Sequence, residues 1–134
     1  MLFRSSVLPF VDRATLAAVY RRSALALFTS DREGFGLPVV ESLASGTPVI
    51  ASDIAVLREV GGDAVTYRPV ADVEAWAAAI VALLDERDYQ SSAWERRREA
   101  GRMRAAEFSW SHYTARVVEL YERLSGRERA SRAI

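Results

Sequence analysis

Glu33 and Glu41 stand with seven residues between them, and that interval holds a glycine-bracketed turn, Gly34, Phe35 and Gly36, followed by Pro38. An ionised carboxylate can only accept hydrogen bonds, so the natural partners of both acids are hydroxyl groups. Glycines let a backbone approach a ligand closely and adopt dihedrals denied to other residues. Pro38 suits the first position of a helix. The first turn of a helix offers free N–H groups and roughly half a positive charge, which together can hold a phosphate. In a helix starting there, Val39, Val40, Leu43 and Ala44 fall on one side, while Glu41 and Ser45 fall on the other. Two acids flanking an anion site suit a ligand with hydroxyls on both sides of a phosphate, and a nucleoside diphosphate sugar has that layout. Spacing alone describes equally well a loop acid, an exposed helix glutamate and ordinary turn glycines.

The elements that must position these residues can be read from periodicity. Residues 7–11 (VLPFV) are apolar and β-prone, and Asp12 offers an N-cap to a helix carrying Leu16, Val19 and Tyr20. Residues 24–29 (ALALFT) form a short apolar run, as expected of a strand buried on both faces of a parallel sheet. The glycine turn follows directly. The helix from Pro38 should end near Gly46, which permits a left-handed cap. Residues 48–52 (PVIAS) read as a second buried strand, 54–60 as a turn or short helix, and 64–67 as a third strand. Asp72 caps a packing helix with Val73, Trp76, Ala77, Ile80 and Leu84 on its stripe and Glu74 at the positive end of its dipole. Residues 89–108 are rich in arginine and glutamate and read as a solvated helix face. Trp110, Tyr113, Val117, Leu120, Tyr121 and Leu124 form an aromatic-rich stripe on a last helix, and a frayed tail is expected over residues 126–134.

Alternating strands and helices predict an α/β fold with a doubly wound parallel sheet of three to four strands and C-terminal helices, all in one domain over residues 1–125. Ligands of such sheets sit beyond the carboxyl ends of the strands, where the turn of residues 30–37 falls. With 134 residues, 50% of them hydrophobic, the chain suffices for one core. Eighteen bases balance eighteen acids, so nucleic acid is not an expected partner. Every base is arginine, so any cationic contact must come from a planar guanidinium. The chain has no cysteine, which excludes disulfides and thiolate metal sites. The lone histidine, His112, reads as a surface or boundary residue. No apolar run reaches the roughly 20 residues of a membrane span, and residues 1–10 lack the pattern of a secretory leader. A cytoplasmic location is expected, with peripheral attachment to a membrane left open.

The run EGFGLPVVESLASGTPVIASD closely resembles the retaining GT-B glycosyltransferases of the glycosyl transferases group 1 family, also catalogued as family 4. Glu33 and Glu41 match its pair of glutamates separated by seven residues, with GFGLP between them and SGTPVIASD after them. The likeness extends from about Leu8 to Leu124, through LAAVYRRSALALFTS, LREVGGDAV and AAEFSWSHYTARVVELYERL. It implies that Glu33 contacts hydroxyls of the donor sugar and Glu41 those of the ribose. Backbone groups of Gly34, Phe35 and Gly36 would touch the sugar, and those of Leu37, Pro38 and Val39 would lie by the diphosphate. Thr47 and Ser52 fit turn and strand-end roles better than direct contact. The family transfers sugar with retention from a nucleoside diphosphate sugar, generally without a bound metal, to an acceptor that is a sugar, lipid or glycan. Glu33 is the one candidate catalytic residue, expected to position the donor rather than attack it.

The resemblance covers only the later part of the second of two Rossmann-like domains. The acceptor domain and the basic pair that grips the diphosphate fall outside it, so the chain alone is expected to be inactive. The alternative reading is a non-catalytic remnant that serves as an interaction or regulatory subunit. In the sheet order 3-2-1-4-5-6 the strand at residues 24–29 is the fourth, built to be central. Its open edge is expected to take up the chain's own first strand, a second copy, or a separate N-terminal polypeptide.

Overall fold

The β-strands here are short, and the first two are apolar runs that end where polar residues begin. The computed structural model describes residues 5–131, with side chains through Ser125. Its parallel sheet runs in the order β1 (Ala26–Phe28), β2 (Val49–Ser52) and β3 (Val65–Arg68). Ala26 lies opposite Val49, and Val49 opposite Val65. Every residue of the central strand is buried, as a parallel strand covered on both faces requires. The helices are α1 (Arg13–Arg22), α2 (Leu37–Ala44), α3 (Ala55–Gly61), α4 (Val73–Tyr89), α5 (Ser91–Ala106) and α6 (Trp110–Ser131).

The pleat of β2 assigns the layers. Val49 and Ala51 face one way and pack with Val39 and Leu43 of α2 and Leu57 and Val60 of α3. Ile50 faces the other way and meets Trp76, Ala79 and Leu83 of α4. Helices on both faces of a parallel sheet make the fold doubly wound and Rossmann-like. Asp12 and Asp72 cap α1 and α4 as their positions predict, accepting from the amides of Thr15 at 2.7 Å and Ala75 at 3.0 Å. Gly46 takes the left-handed conformation just past α2.

Three expectations change. Residues 7–11 form no strand, and Phe10 is 99% exposed. β-Propensity describes fitness for a half-buried pleated surface, and no described strand pairs with this segment. On α4 the buried side chains are Trp76, Ala79 and Leu83, while Val73 and Ala77 face solvent. The Trp76 indole N–H donates to the Pro69 carbonyl at 2.9 Å, which anchors the rotation of the helix about one residue from the stripe read in the sequence. The arginine-rich α5 is no mere solvated face, since it buries Trp94, Gly101 and Ala105. In α6, Trp110 and Tyr113 pack edge-on against each other, with ring centroids 6.1 Å apart, and both remain largely exposed. Of the tail expected over residues 126–134, residues 126–131 continue the α6 backbone, and 132–134 lie outside the described residues.

α5 runs antiparallel to α2. The Arg98 Nε donates to the Gly46 carbonyl at 2.9 Å, Gly101 lies against Leu43, and Phe108, just past the helix end, reaches Phe35. Its first turn joins the cluster on the opposite face through Trp94. β1 lies at a sheet edge, where Leu27 is 45% exposed.

Candidate donor site at the carboxyl end of the first strand

The candidate site begins where β1 ends. Residues 29–36 carry no helix or strand, and the first half of this turn is tied by the Ser30 hydroxyl, which donates to Glu33 Oε1 at 2.7 Å. Glu33 itself is exposed. The two bracketing glycines differ. Gly36 has φ 90°, and an added Cβ would lie 2.7 Å from the Leu57 side chain, so both backbone and space demand glycine. A Cβ on Gly34 would meet nothing within 4 Å and its φ is not positive, so the fold itself makes no such demand there.

α2 starts at Leu37, one residue before the position read from Pro38, with Gly36 as its left-handed N-cap. The Val39 amide donates to the Gly36 carbonyl at 3.0 Å, and Pro38 has no amide hydrogen. Among the described residues, no protein acceptor is found for the amides of Gly34, Phe35, Gly36 or Leu37. These donors stand at the positive end of a helix whose other side is locked into the core by Val39 and Leu43. Glu41 projects to solvent one turn further on, with Ser42 and Leu43 buried behind it. Burial pushes the Tyr20 phenol above its ordinary range, and the Glu41 charge adds in the same direction. The turn therefore presents two exposed carboxylates on either side of a group of unpaired N–H donors.

Other polar residues lie near the motif. Thr47 donates to the Tyr20 carbonyl at 2.6 Å and ties the end of α1 to the turn before β2. Ser52 is fully buried, and its hydroxyl has no partner among the described residues. Arg32 is exposed, and Asp53 is gripped by Arg58 through Nη2 to Oδ2 at 2.7 Å. The Arg58 hydrogen bonds hold the Asp53 carboxyl below its usual range.

Residues far along the chain complete the walls. Leu57 reaches Gly36 from α3, and α3 is pinned by Tyr67, whose hydroxyl lies 3.0 Å from the carbonyls of Leu57 and Gly62. Burial pushes that phenol up to about 12, so it keeps its proton and remains a donor. Phe35 meets Phe108 edge-on, with centroids 5.8 Å apart and planes at 80°. Nothing local in the sequence marks Leu57, Tyr67 or Phe108, because each acts on a neighbour brought close only by the fold. A separate groove of about 280 Å³, lined by Asp63, Glu86, Arg96 and Arg97 among others, opens beside the residues preceding β3. It lies at the amino end of the strands, opposite the motif turn, and contains none of its residues.

The sequence and the fold both have known relatives. The sequence is 42% identical over 118 residues to the MMP alpha-(1->4)-mannosyltransferase of Mycolicibacterium hassiacum, covering 84% of this chain and 27% of that protein. It is 32% identical over 117 residues to the O-antigen chain mannosyltransferase B of Escherichia coli, covering 87% of this chain and 30% of that one. Among solved structures, the sucrose-phosphate synthase of Thermosynechococcus elongatus, a GT-B enzyme, superposes with a TM-score of 0.76 at 30% identity, over 90% of this chain and 30% of that one. The chain thus spans less than a third of the length of these relatives. The sequence model described as "Glycosyl transferases group 1" matches residues 4–102, a stretch that holds the whole turn, both glutamates and all three strands, and so the chain belongs to the glycosyl transferases group 1 family.

Proposed function

We propose that this chain is the donor-binding portion of a retaining glycosyltransferase that uses a nucleoside diphosphate sugar. The observation that carries the reading is the order of groups along the turn: exposed Glu33, then the amides of Gly34 to Leu37, then exposed Glu41. Glu33 takes the sugar hydroxyls, the amides and the start of α2 face the diphosphate, and Glu41 takes the ribose hydroxyls. As the glycosidic bond breaks, the leaving diphosphate gains negative charge. A helix end already fixed by Val39 and Leu43 favours that charge without rearranging, so it stabilises the transition state more than the ground state. Glu33 holds the sugar in place and is not assigned as a nucleophile. Neither a site for the acceptor, a sugar, lipid or glycan, nor a cation facing the diphosphate is assigned to residues of this chain, and no metal is required of these residues.

The test is calorimetry with UDP-glucose and GDP-mannose on the intact chain and on Glu41→Ala. Loss of hydrogen bonds from a charged acceptor should weaken binding by about 10- to 100-fold. Failure of the folded chain to bind any nucleoside diphosphate sugar would remove the proposal.

A further inference from the structure

We infer that Phe108 and Arg104, which lie outside the motif, are positioning residues that hold the glycine turn in its binding conformation; this rests on the donor-site reading above. The turn is short of internal constraints. Past the Ser30–Glu33 hydrogen bond it contains two glycines, and ordering glycine backbone carries a large entropy cost. Phe35 is the one aromatic side chain in that turn, and it forms a T-shaped pair with Phe108. Phe108 is itself held from two sides. Its amide donates to the Ala105 carbonyl at 3.0 Å, and its ring packs against the core cluster of α2 and α3. The Arg104 guanidinium lies over the same ring at 5.0 Å from the centroid.

Arg104 is fixed in turn by the end of α3. Its Nε donates to the Val60 carbonyl at 2.9 Å, its Nη2 to the Glu59 carbonyl, and its Nη1 pairs with Glu107. A cation on the last carbonyls of a helix is favoured by the dipole. Since Leu57 of the same α3 fills the space beside Gly36, the brace is closed. α3 touches the second glycine directly and reaches Phe35 through Arg104 and Phe108. The contacts of Arg104 and Phe108 on which the brace rests are all to the protein itself. Their contribution is to order the turn before the donor arrives, which lowers the cost of binding.

The experiment compares the intact chain with Phe108→Leu, Phe108→Tyr and Arg104→Gln, all at temperatures well below unfolding. Backbone order parameters of Gly34, Phe35, Gly36 and Leu37 are measured by NMR relaxation, and affinities for UDP-glucose and GDP-mannose by calorimetry. In Phe108→Leu the turn should fall from the rigid range to below about 0.6 while β2 stays rigid. Donor affinity should drop by about 3- to 10-fold, the range expected for one lost aromatic pair. Phe108→Tyr, which keeps the ring, should match the parent in both readings, and Arg104→Gln should give a smaller loss in the same direction. Turn order unchanged in Phe108→Leu, or equal losses in the leucine and tyrosine variants, would overturn the inference. If the parent binds neither donor, the functional reading falls, and the order parameters alone still decide whether Phe108 fixes the turn.

Discussion

α5 and α6 are consecutive helices with opposite relations between composition and burial. α5 reads SSAWERRREAGRMRAA and is among the most polar stretches of the chain, yet it closes the structure: Trp94, Gly101 and Ala105 are buried. α6 carries the richest aromatic stripe of any helix here, yet Trp110, Tyr113, Leu120, Tyr121 and Leu124 all remain exposed. The difference shows that burial follows what a helix is placed against. Two of the three buried positions of α5 are small, and Gly101 lets the backbone approach Leu43 so closely that an added Cβ would sit 3.0 Å from a Leu43 methyl. Two of its arginines, Arg98 and Arg104, face the ends of neighbouring elements and satisfy carbonyls of Gly46, Glu59 and Val60. α6 has no neighbour of that kind among the described residues.

This contrast can be broken by mutation. The largest effect is expected from Trp94→Ala, which empties a site shared with Ile50, Trp76 and Leu83 and should cost about 3–5 kcal/mol in urea unfolding. A cost under about 1 kcal/mol would mean that α5 is not the closing element. Gly101→Val follows at about 1–3 kcal/mol, because the branched side chain overpacks Leu43. A neutral or stabilising result, as helix propensity alone would give, would show that α5 can move away from α2. Arg98→Ala should lose about 1 kcal/mol through the Gly46 carbonyl, measured by the same transition.

A pH series sharpens the comparison at the α4–α5 contact. Arg97 donates to both carboxylate oxygens of Glu86, at 2.9 and 2.8 Å, and holds that carboxyl below the usual glutamate range. A depressed folded-state value stabilises the fold at pH above the free glutamate range. That stability is lost as pH falls through this range towards the folded value. Glu86→Gln should therefore lower stability most at neutral pH and flatten the acid side of the profile, with variant and parent converging at low pH. An unchanged acid limb would remove the pair from the account. The smallest effect belongs to α6, where Trp110→Ala and Leu124→Ala should each stay within about 0.5 kcal/mol of the parent. A larger loss would show that the stripe is packed in solution.

Local chemistry is what made much of the fold legible beforehand. Asp12 and Asp72 announce their helices because a cap acts within three residues, and Gly46 marks the end of α2 through its own backbone. The residues of the candidate site could be proposed for the same reason: Glu33, the glycines and Glu41 lie within one short segment on a single turn and helix. What stayed hidden is long-range. Arg98 and Arg104 act on carbonyls 52 and 44 residues away, and small buried residues such as Gly101 and Ala105 leave no hydrophobic periodicity to detect. Residues 7–11 show the reverse error, since β-prone residues describe a strand only where an edge receives them.

The three tryptophans are divided between these regions in a way that makes the chain its own optical reporter. Trp76 and Trp94 lie in one buried cluster, whereas Trp110 is 83% exposed at the start of α6. Emission should therefore contain a blue component shielded from acrylamide and a red component open to it. Unfolding of the sheet moves the first towards the second, while anything that settles on the start of α6 moves the second towards the first. The two events shift the same spectrum in opposite directions, so core integrity and occupancy of the last helix can be followed in one cuvette without a label.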